Sequence, residues 1–287
     1  RRTACPDRRG MTHWTVRIAG AELPVFEYGD PSAESTVLLV HGYPDNRHVF
    51  GPLITALGDA VRVIAYDTRG SGASVLEPAA DVAIEQLARD AFAVVESIPG
   101  LTGKVHVFAH DWGSVQMWEA MASPRASTAF ASYTSVSGPS LDHLRQVARA
   151  RSVRPHRWPS LVGQLARSWY VFGFHVPVLR TRIPALLARL QAEGEPTPTA
   201  ADQQRGIALY RANVLRRVFR GPDPRCVVPT TVVVPTHDPM LSTNLTDGLD
   251  RWIPDLRVVH VEAGHWWPYT HPADAARVLM ERGREGE

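Results

Sequence analysis

Val105-His106-Val107-Phe108-Ala109-His110-Asp111-Trp112-Gly113-Ser114 decides how the rest of the chain is read. Residues 105–109 form an apolar run with β-branched residues, the pattern of a strand buried on both faces. The run stops at Asp111, and residues 113–121 read as a helix. Ala109 and Gly113, two residues either side of the acid, are small, as a sharp strand-to-helix turn requires. Such a turn pushes one side chain out at the top of a sheet, and here it is a carboxylate. Two readings are open: Asp111 caps the following helix, or it is a nucleophile on a strained elbow, with Asp in place of Ser. The second requires an acid and then a histidine later in the chain.

Residues 13–18 and 23–28 read as an antiparallel strand pair. Strands at 36–40, 61–66, 132–136, 230–234 and 257–261 join the one at 105, giving eight in all. Helices are expected at 48–57, 82–98, 244–252 and 273–282. This alternation predicts an α/β fold, a mostly parallel eight-stranded sheet with helices on both faces. Chemistry in such sheets lies beyond the carboxyl ends of the strands, where His41, Asp67, Asp111 and Ser137 fall. From 139 to 224 strand signals vanish and Arg, Leu, Trp and Pro dominate, which reads as an inserted helical cap containing a loop at 193–198. The core is then 11–138 and 225–287, preceded by a leader or tag at 1–10.

Composition narrows the function classes. The chain has 287 residues, 44% hydrophobic, and a formal net charge of only +2, so no strong pull toward nucleic acid or a membrane is implied, and the cap arginines read as solvated helix faces. No apolar run is long enough to span a bilayer. Cys5 and Cys226 lie far apart, which argues against a disulfide framework and fits a reducing cytoplasm. The leader carries four arginines and no apolar core, unlike a secretory signal, and Met11 reads as the natural start.

The required acid and histidine follow in order. Asp238 and His265 each come just after a strand, giving nucleophile, acid, histidine along the chain. His237 is the weaker candidate base, because Asp238 beside it is placed to orient His265. A carboxylate can attack sp³ carbon without a base, leaving an ester that a histidine-activated water opens. The backbone amides of Tyr43 and Trp112 stand where oxyanion donors are needed. Sp³ carbon with a built-in leaving group means an epoxide or a haloalkane, and an epoxide oxygen needs a proton donor such as a phenol. Tyr170 and Tyr210 lie in the cap, where composition alone reads them as buried packing.

The chain resembles the α/β-hydrolase-fold epoxide hydrolases from about residue 13 to 280. His41-Gly42-Tyr43-Pro44 is similar to the family's oxyanion loop, usually with a cis peptide before the proline, and residues 67–74 to its Asp-x-Arg-Gly-x-Gly-x-Ser turn. His110-Asp111-Trp112-Gly113, Asp238 and Gly264-His265-Trp266 match the nucleophile, acid and base positions. Tyr170, seven residues before Pro177, and Tyr210, set among Gly206, Arg211 and Asn213, match the family's ring-opening tyrosines. Ser114 stands where Gly is usual, Ala109 replaces an elbow Gly, and His175 replaces a common Gln.

The resemblance implies cofactor-free, metal-free hydrolysis of a small apolar epoxide by water to a vicinal diol, with Phe172, Phe174, His175 and Trp266 against the substrate and a homodimer as one assembly. A haloalkane or haloacid dehalogenase and a non-catalytic ligand-binding member of the fold are the alternatives. A serine esterase does not fit, because Ser114 lies inside the helix. Some actinobacterial relatives continue into a dehydrogenase domain, and no such stretch is read in these residues.

Overall fold

The computed structural model describes residues 12–190, 194–222 and 225–285; the expected leader at 1–10, Met11, Cys5 and part of the 193–198 loop lie outside these. Eight strands form one path through the sheet: β1 (Thr12–Ile18), β2 (Ala21–Gly29), β3 (Thr36–Val40), β4 (Arg62–Tyr66), β6 (Val105–His110), β7 (Phe130–Val136), β8 (Thr230–Pro235) and β9 (Leu256–Val261). Their order is β1-β2-β4-β3-β6-β7-β8-β9, antiparallel at β1–β2 and β2–β4 and parallel from β4 onward. The sheet has nine strands rather than the expected eight, because a two-residue β5 (Val75–Leu76) pairs antiparallel with the start of β2. Two residues leave no periodicity to read.

Helices cover both faces. On one, α2 (Ile84–Glu96) and α3 (Trp112–Met121) bring Ala91, Phe92, Met117 and Trp118 onto Leu38, Val40, Val107 and Ala109. On the other, α1 (Gly51–Leu57) and α12 (Pro272–Glu285), with the short α11 (Trp267–Thr270), pack Leu53, Leu279 and Trp267 on Val37, Leu39 and Phe108. The central strands are buried on both faces, hence their unbroken apolar runs. A short α4 (Ala126–Ala129) leads into β7. The helix expected at 244–252 is instead two 3-10 turns, Thr243–Thr246 and Leu249–Arg251, separated at Gly248, whose φ of 79° no continuous right-handed helix permits.

Between β7 and β8 the chain is helical: α5 (Leu141–Ser152), α6 (Trp158–Arg167), α7 (Trp169–Gly173), α8 (Pro177–Arg180), α9 (Ile183–Leu187) and α10 (Ala200–Arg220). Polar contacts tie α10 to the core at three heights. At its start, capped by Thr199, Asp202 accepts from the Gly72 amide at 2.8 Å and from Asn46 Nδ2 at 3.1 Å. Midway, Asn213 accepts from the Ile84 amide at 2.7 Å and donates to the Val82 carbonyl at 2.9 Å, supplying the cap that α2 lacks from its own chain neighbour. Lower down, Arg217 meets Glu85, Glu119 and Asp142. No helix among the described residues is long and apolar enough to cross a membrane.

The turn after β4 is held by buried charge. Arg69 donates from Nε and Nη2 to the two oxygens of Asp90, both at 2.7 Å, and from Nη1 and Nη2 to the Ala19 and Ile18 carbonyls. Both partners are buried, so removing one strands the other without solvent. Arg69→Ala is expected to lower unfolding stability by about 3–5 kcal/mol in denaturant titrations, with Asp90→Leu in the same background recovering part of the loss. A single-mutant loss within the range of surface substitutions would show that the pair carries no such weight.

Candidate active site

Asp111 occupies the junction between β6 and α3 with φ 52° and ψ −123°, a backbone conformation that L side chains rarely adopt. Its amide donates to the Val136 carbonyl at 2.9 Å, which extends β6–β7 pairing one residue past the strand and fixes the bend. The neighbours are small because nothing else fits. A Cβ on Gly113 would lie 2.1 Å from the Val40 carbonyl oxygen, and one on Gly138 would lie 2.1 Å from that of Asp111. Ser114 sits behind the bend, with Oγ 2.8 Å from the Tyr133 hydroxyl and 2.5 Å from Ser135 Oγ. The hydroxyl at a position where glycine is usual is therefore part of a buried polar knot.

The bend aims the carboxylate at two amides. Asp111 Oδ1 accepts from the Tyr43 amide at 2.7 Å and from the Trp112 amide at 2.5 Å. Tyr43 is brought there by the turn after β3, whose Tyr43–Pro44 peptide is cis. Gly42 has no room for a side chain, since a Cβ would lie 2.2 Å from the Trp112 nitrogen. The neighbouring imidazole of His41 donates from Nδ1 to the Gly42 carbonyl and accepts at Nε2 from the Thr68 amide, joining this loop to the turn after β4.

The other oxygen faces a histidine. Asp111 Oδ2 lies 3.5 Å from His265 Nε2, and His265 Nδ1 is 2.8 Å from Asp238 Oδ2. Asp238 Oδ1 accepts from the amides of Met240 and Leu241 at 2.8 and 3.1 Å. The His265 carbonyl accepts from His110 Nε2 at 2.9 Å and from Ser137 Oγ at 3.3 Å, which pins the loop after β9 to the ends of β6 and β7. His237, the alternative base, is exposed and donates its amide to the Ala263 carbonyl.

Electrostatics follow from this packing. Burial lowers the His265 pKa, but Asp238 and Asp111 outweigh it and hold the imidazole well above its ordinary value. Burial raises the Asp238 carboxyl, yet His265 and the two amides bring it below the usual carboxylate range. His110, buried and beside His265, is pushed down to about 4 and stays neutral. The Tyr170 and Tyr210 phenols are raised, first by burial and then by neighbours that include Asp111, so both keep their protons.

Tyr170 from α7 and Tyr210 from α10 meet above Asp111. Their rings lie 5.8 Å apart at 78°, and Tyr210 also packs edge-on to Trp112 at 4.8 Å and to Tyr43 at 5.3 Å. Gly206, one turn before Tyr210, admits the Tyr43 ring, since a Cβ there would lie 2.3 Å from Tyr43 Cδ2. Two cavities share Asp111, Tyr170, Tyr210, Met240 and His265. One, of about 40 Å³, is closed by Tyr43, Trp266, Leu187 and Gln203. The other, of about 300 Å³, runs beneath α5, α6 and α10 between Leu144, Leu161, Val171, Phe172 and Val218. A carboxylate, an imidazole and two neutral phenols thus converge on one apolar chamber.

Of the residues expected against substrate, Trp266 and Phe172 line these cavities. Phe174 lines neither and is fully buried against Tyr43, Tyr170 and Tyr210. His175 also lies outside both, with Nδ1 donating to the Val171 carbonyl at 3.0 Å. Sequence reasoning missed Asp45, which accepts from Trp266 Nε1 at 2.8 Å and whose carboxyl burial pushes up to about 7. Its signal was its place in the His41–Asp45 loop. Met240, two residues past Asp238, carried no comparable mark.

Residues 35–272 match the model of the α/β hydrolase fold family. The chain belongs to that family. It is 34% identical over 298 residues to a Mycobacterium tuberculosis protein described as "Probable oxidoreductase EphD", covering 96% of this chain and 50% of that one. It is 26% identical to the pig "Bifunctional epoxide hydrolase 2", covering 97% of this chain and 56% of that one. The chain therefore spans about half the length of these relatives. Among solved structures, a putative epoxide hydrolase from Pseudomonas aeruginosa superposes with a TM-score of 0.75 at 19% identity, covering 98% of each chain. An epoxide hydrolase from hot-environment metagenomes gives 0.72 at 21%, covering 94% and 97%. This α/β hydrolase is thus similar to epoxide hydrolases.

If Asp111 and Asp238 together raise the His265 pKa, Asp111→Asn lowers it toward its ordinary value near 6.5. A ring-proton NMR titration reads this directly, and an unchanged midpoint would contradict it. The stability His265 gains from its raised pKa is full below about pH 6.5 and is lost as pH rises through the higher folded value. Asp111→Asn should therefore destabilise most at the acid end of that window.

Proposed function

We propose that this chain hydrolyses epoxides to vicinal diols through an alkyl-enzyme ester on Asp111, with residues 139–224 acting as a cap over the site. The observation that carries the reading is the inequivalence of the two Asp111 oxygens: Oδ1 is held by two amides, while Oδ2 has only His265 at 3.5 Å beside it among the described residues, at a cavity lined by Asp111, Tyr170 and Tyr210.

In the first step Oδ2 attacks a ring carbon, the carbon–oxygen bond breaks, and a phenol proton passes to the departing oxygen. Asp111 is then a neutral ester. His265, which had faced two carboxylates, keeps only Asp238, so its pKa falls and its extra proton passes to the phenolate left by ring opening, restoring the phenol. It next takes a proton from water, whose oxygen attacks the Asp111 carbonyl carbon. The charge that develops on Oδ1 meets the Tyr43 and Trp112 amides, a donor of this kind being worth about 3–4 kcal/mol. Collapse breaks the ester bond: the departing alkoxide takes the proton that His265 drew from water, giving the diol, and the new Asp111 acid returns its proton to the imidazole, restoring the carboxylate and the imidazolium. The base thus becomes competent only once the ester exists.

A single turnover in heavy-oxygen water should leave the first diol unlabelled and put the label on Asp111, read by peptide mass spectrometry. His265→Ala should accumulate the ester, and Tyr170→Phe with Tyr210→Phe should cut kcat by at least about 100-fold. Label entering the first diol would overturn the mechanism. Halide release from bromoalkanes that survives loss of both phenols would point to a dehalogenase instead.

A further inference from the structure

Between residues 143 and 189 the chain has nine arginines and neither aspartate nor glutamate. Part of this charge is neutralised from outside the segment. Arg151 is buried, donates to the Asn244 carbonyl and lies 3.2 Å from Asp247, and Arg157 lies 4.0 Å from the same carboxylate. Among the described residues no ion pair forms at Arg149, Arg154, Arg167, Arg180, Arg182 or Arg189, and all but Arg180 are exposed.

Interleaved with these cations is an apolar stripe turned the wrong way for a core. Trp158, Val162 and Leu165 recur along α6 at helical spacing, and Trp169 opens α7 four residues on. They are 52%, 61%, 48% and 40% exposed. The opposite side of α6 meets the core, where Gln164 donates to the Met240 carbonyl and accepts from the Ser242 amide. Val176, Val178, Leu179 and Leu186, at α8 and α9, are exposed apolar side chains as well. The stripe also reaches the chamber: Leu165 and Phe172, with the exposed Phe219 of α10, line the 300 Å³ cavity that ends at Asp111.

Large apolar side chains gathered at helical spacing on one exposed face mark an interaction site. Tryptophan and aliphatic side chains flanked by arginine are the composition of helices that lie in a membrane interface. We propose that the α6–α9 face docks on an anionic lipid surface. Trp158, Val162, Leu165 and Trp169 enter the headgroup boundary, the unpaired arginines sit on lipid phosphates, and the chamber mouth opens toward the bilayer. Charge complementarity selects this occupant. Two copies of the chain meeting through this face would bring like charges together, and a nucleic acid gives Val162 and Leu165 no apolar layer to enter.

The test is co-sedimentation of the whole chain with phosphatidylcholine vesicles, with and without phosphatidylglycerol. Partitioning should be at least about tenfold stronger with the anionic lipid and vanish near 1 M salt, where the screening length is about 3 Å. Arg154→Ser and Arg167→Ser should each weaken it about fivefold. Trp158→Ala with Val162→Ser should weaken it at low salt, and none of these four residues lines the chamber. Circular dichroism and thermal unfolding establish that each variant is folded. Equal binding to neutral vesicles, no binding, or binding unmoved by these substitutions would overturn the proposal. So would a dimer that dissociates in the Trp158 variant, or duplex DNA that outcompetes the vesicles. The assay involves no turnover, so docking without epoxide hydrolysis would refute the reaction alone.

Discussion

The site depends on one strained residue. Asp111 is held in a left-handed conformation by the hydrogen bond from its amide to Val136, by glycines that leave no space for a Cβ, and by two amides that fix Oδ1. Release any of these and the carboxylate is free to rotate, so the distinction between its oxygens disappears. The strain is sustained by the sheet, because the carbonyls that crowd Gly113 belong to the end of β3 and the one that anchors Asp111 belongs to β7.

The same economy governs charge. Three carboxyl groups, Asp45, Asp111 and Asp238, lie around one buried imidazole, and Asp45 and Asp238 are shifted in opposite directions. Asp238 is stabilised as an anion by His265 and two amides, whereas Asp45 has, among the described residues, only an indole donor and is pushed by burial to about 7. Direct contact with the His265 imidazole, reinforced by two amides, separates Asp238 from the equally buried Asp45. The proposed chemistry uses that difference, since forming the ester removes one of the two anions that raise His265.

Much of this was legible in the chain. All eight strands of the main path come from residues whose apolar runs end in polar or glycine-containing turns, and the parallel register carries Asp111, Asp238 and His265 to one edge. What stayed hidden has physical reasons. β5 is too short for a period, and residues 244–252 read as a helix until Gly248 takes a positive φ. Phe172 and Phe174 are alike in sequence, but one lines the large cavity and the other wedges behind the tyrosines. Periodicity in α6 reveals an apolar face without revealing that it points outward, because the direction is set by what Gln164 binds.

The three tethers on α10 divide the roof mechanically. With Asp202, Asn213 and Arg217 each fastened to the core, the helix that carries Tyr210 is a fixed beam. Tyr170 is carried by α7, whose neighbour α6 is fastened through Ser160 to Asn244 and through Gln164 to Met240 and Ser242. The two phenols are thus positioned from different parts of the core, Tyr210 from the turns after β3 and β4 and the start of α2, and Tyr170 from the loop after β8.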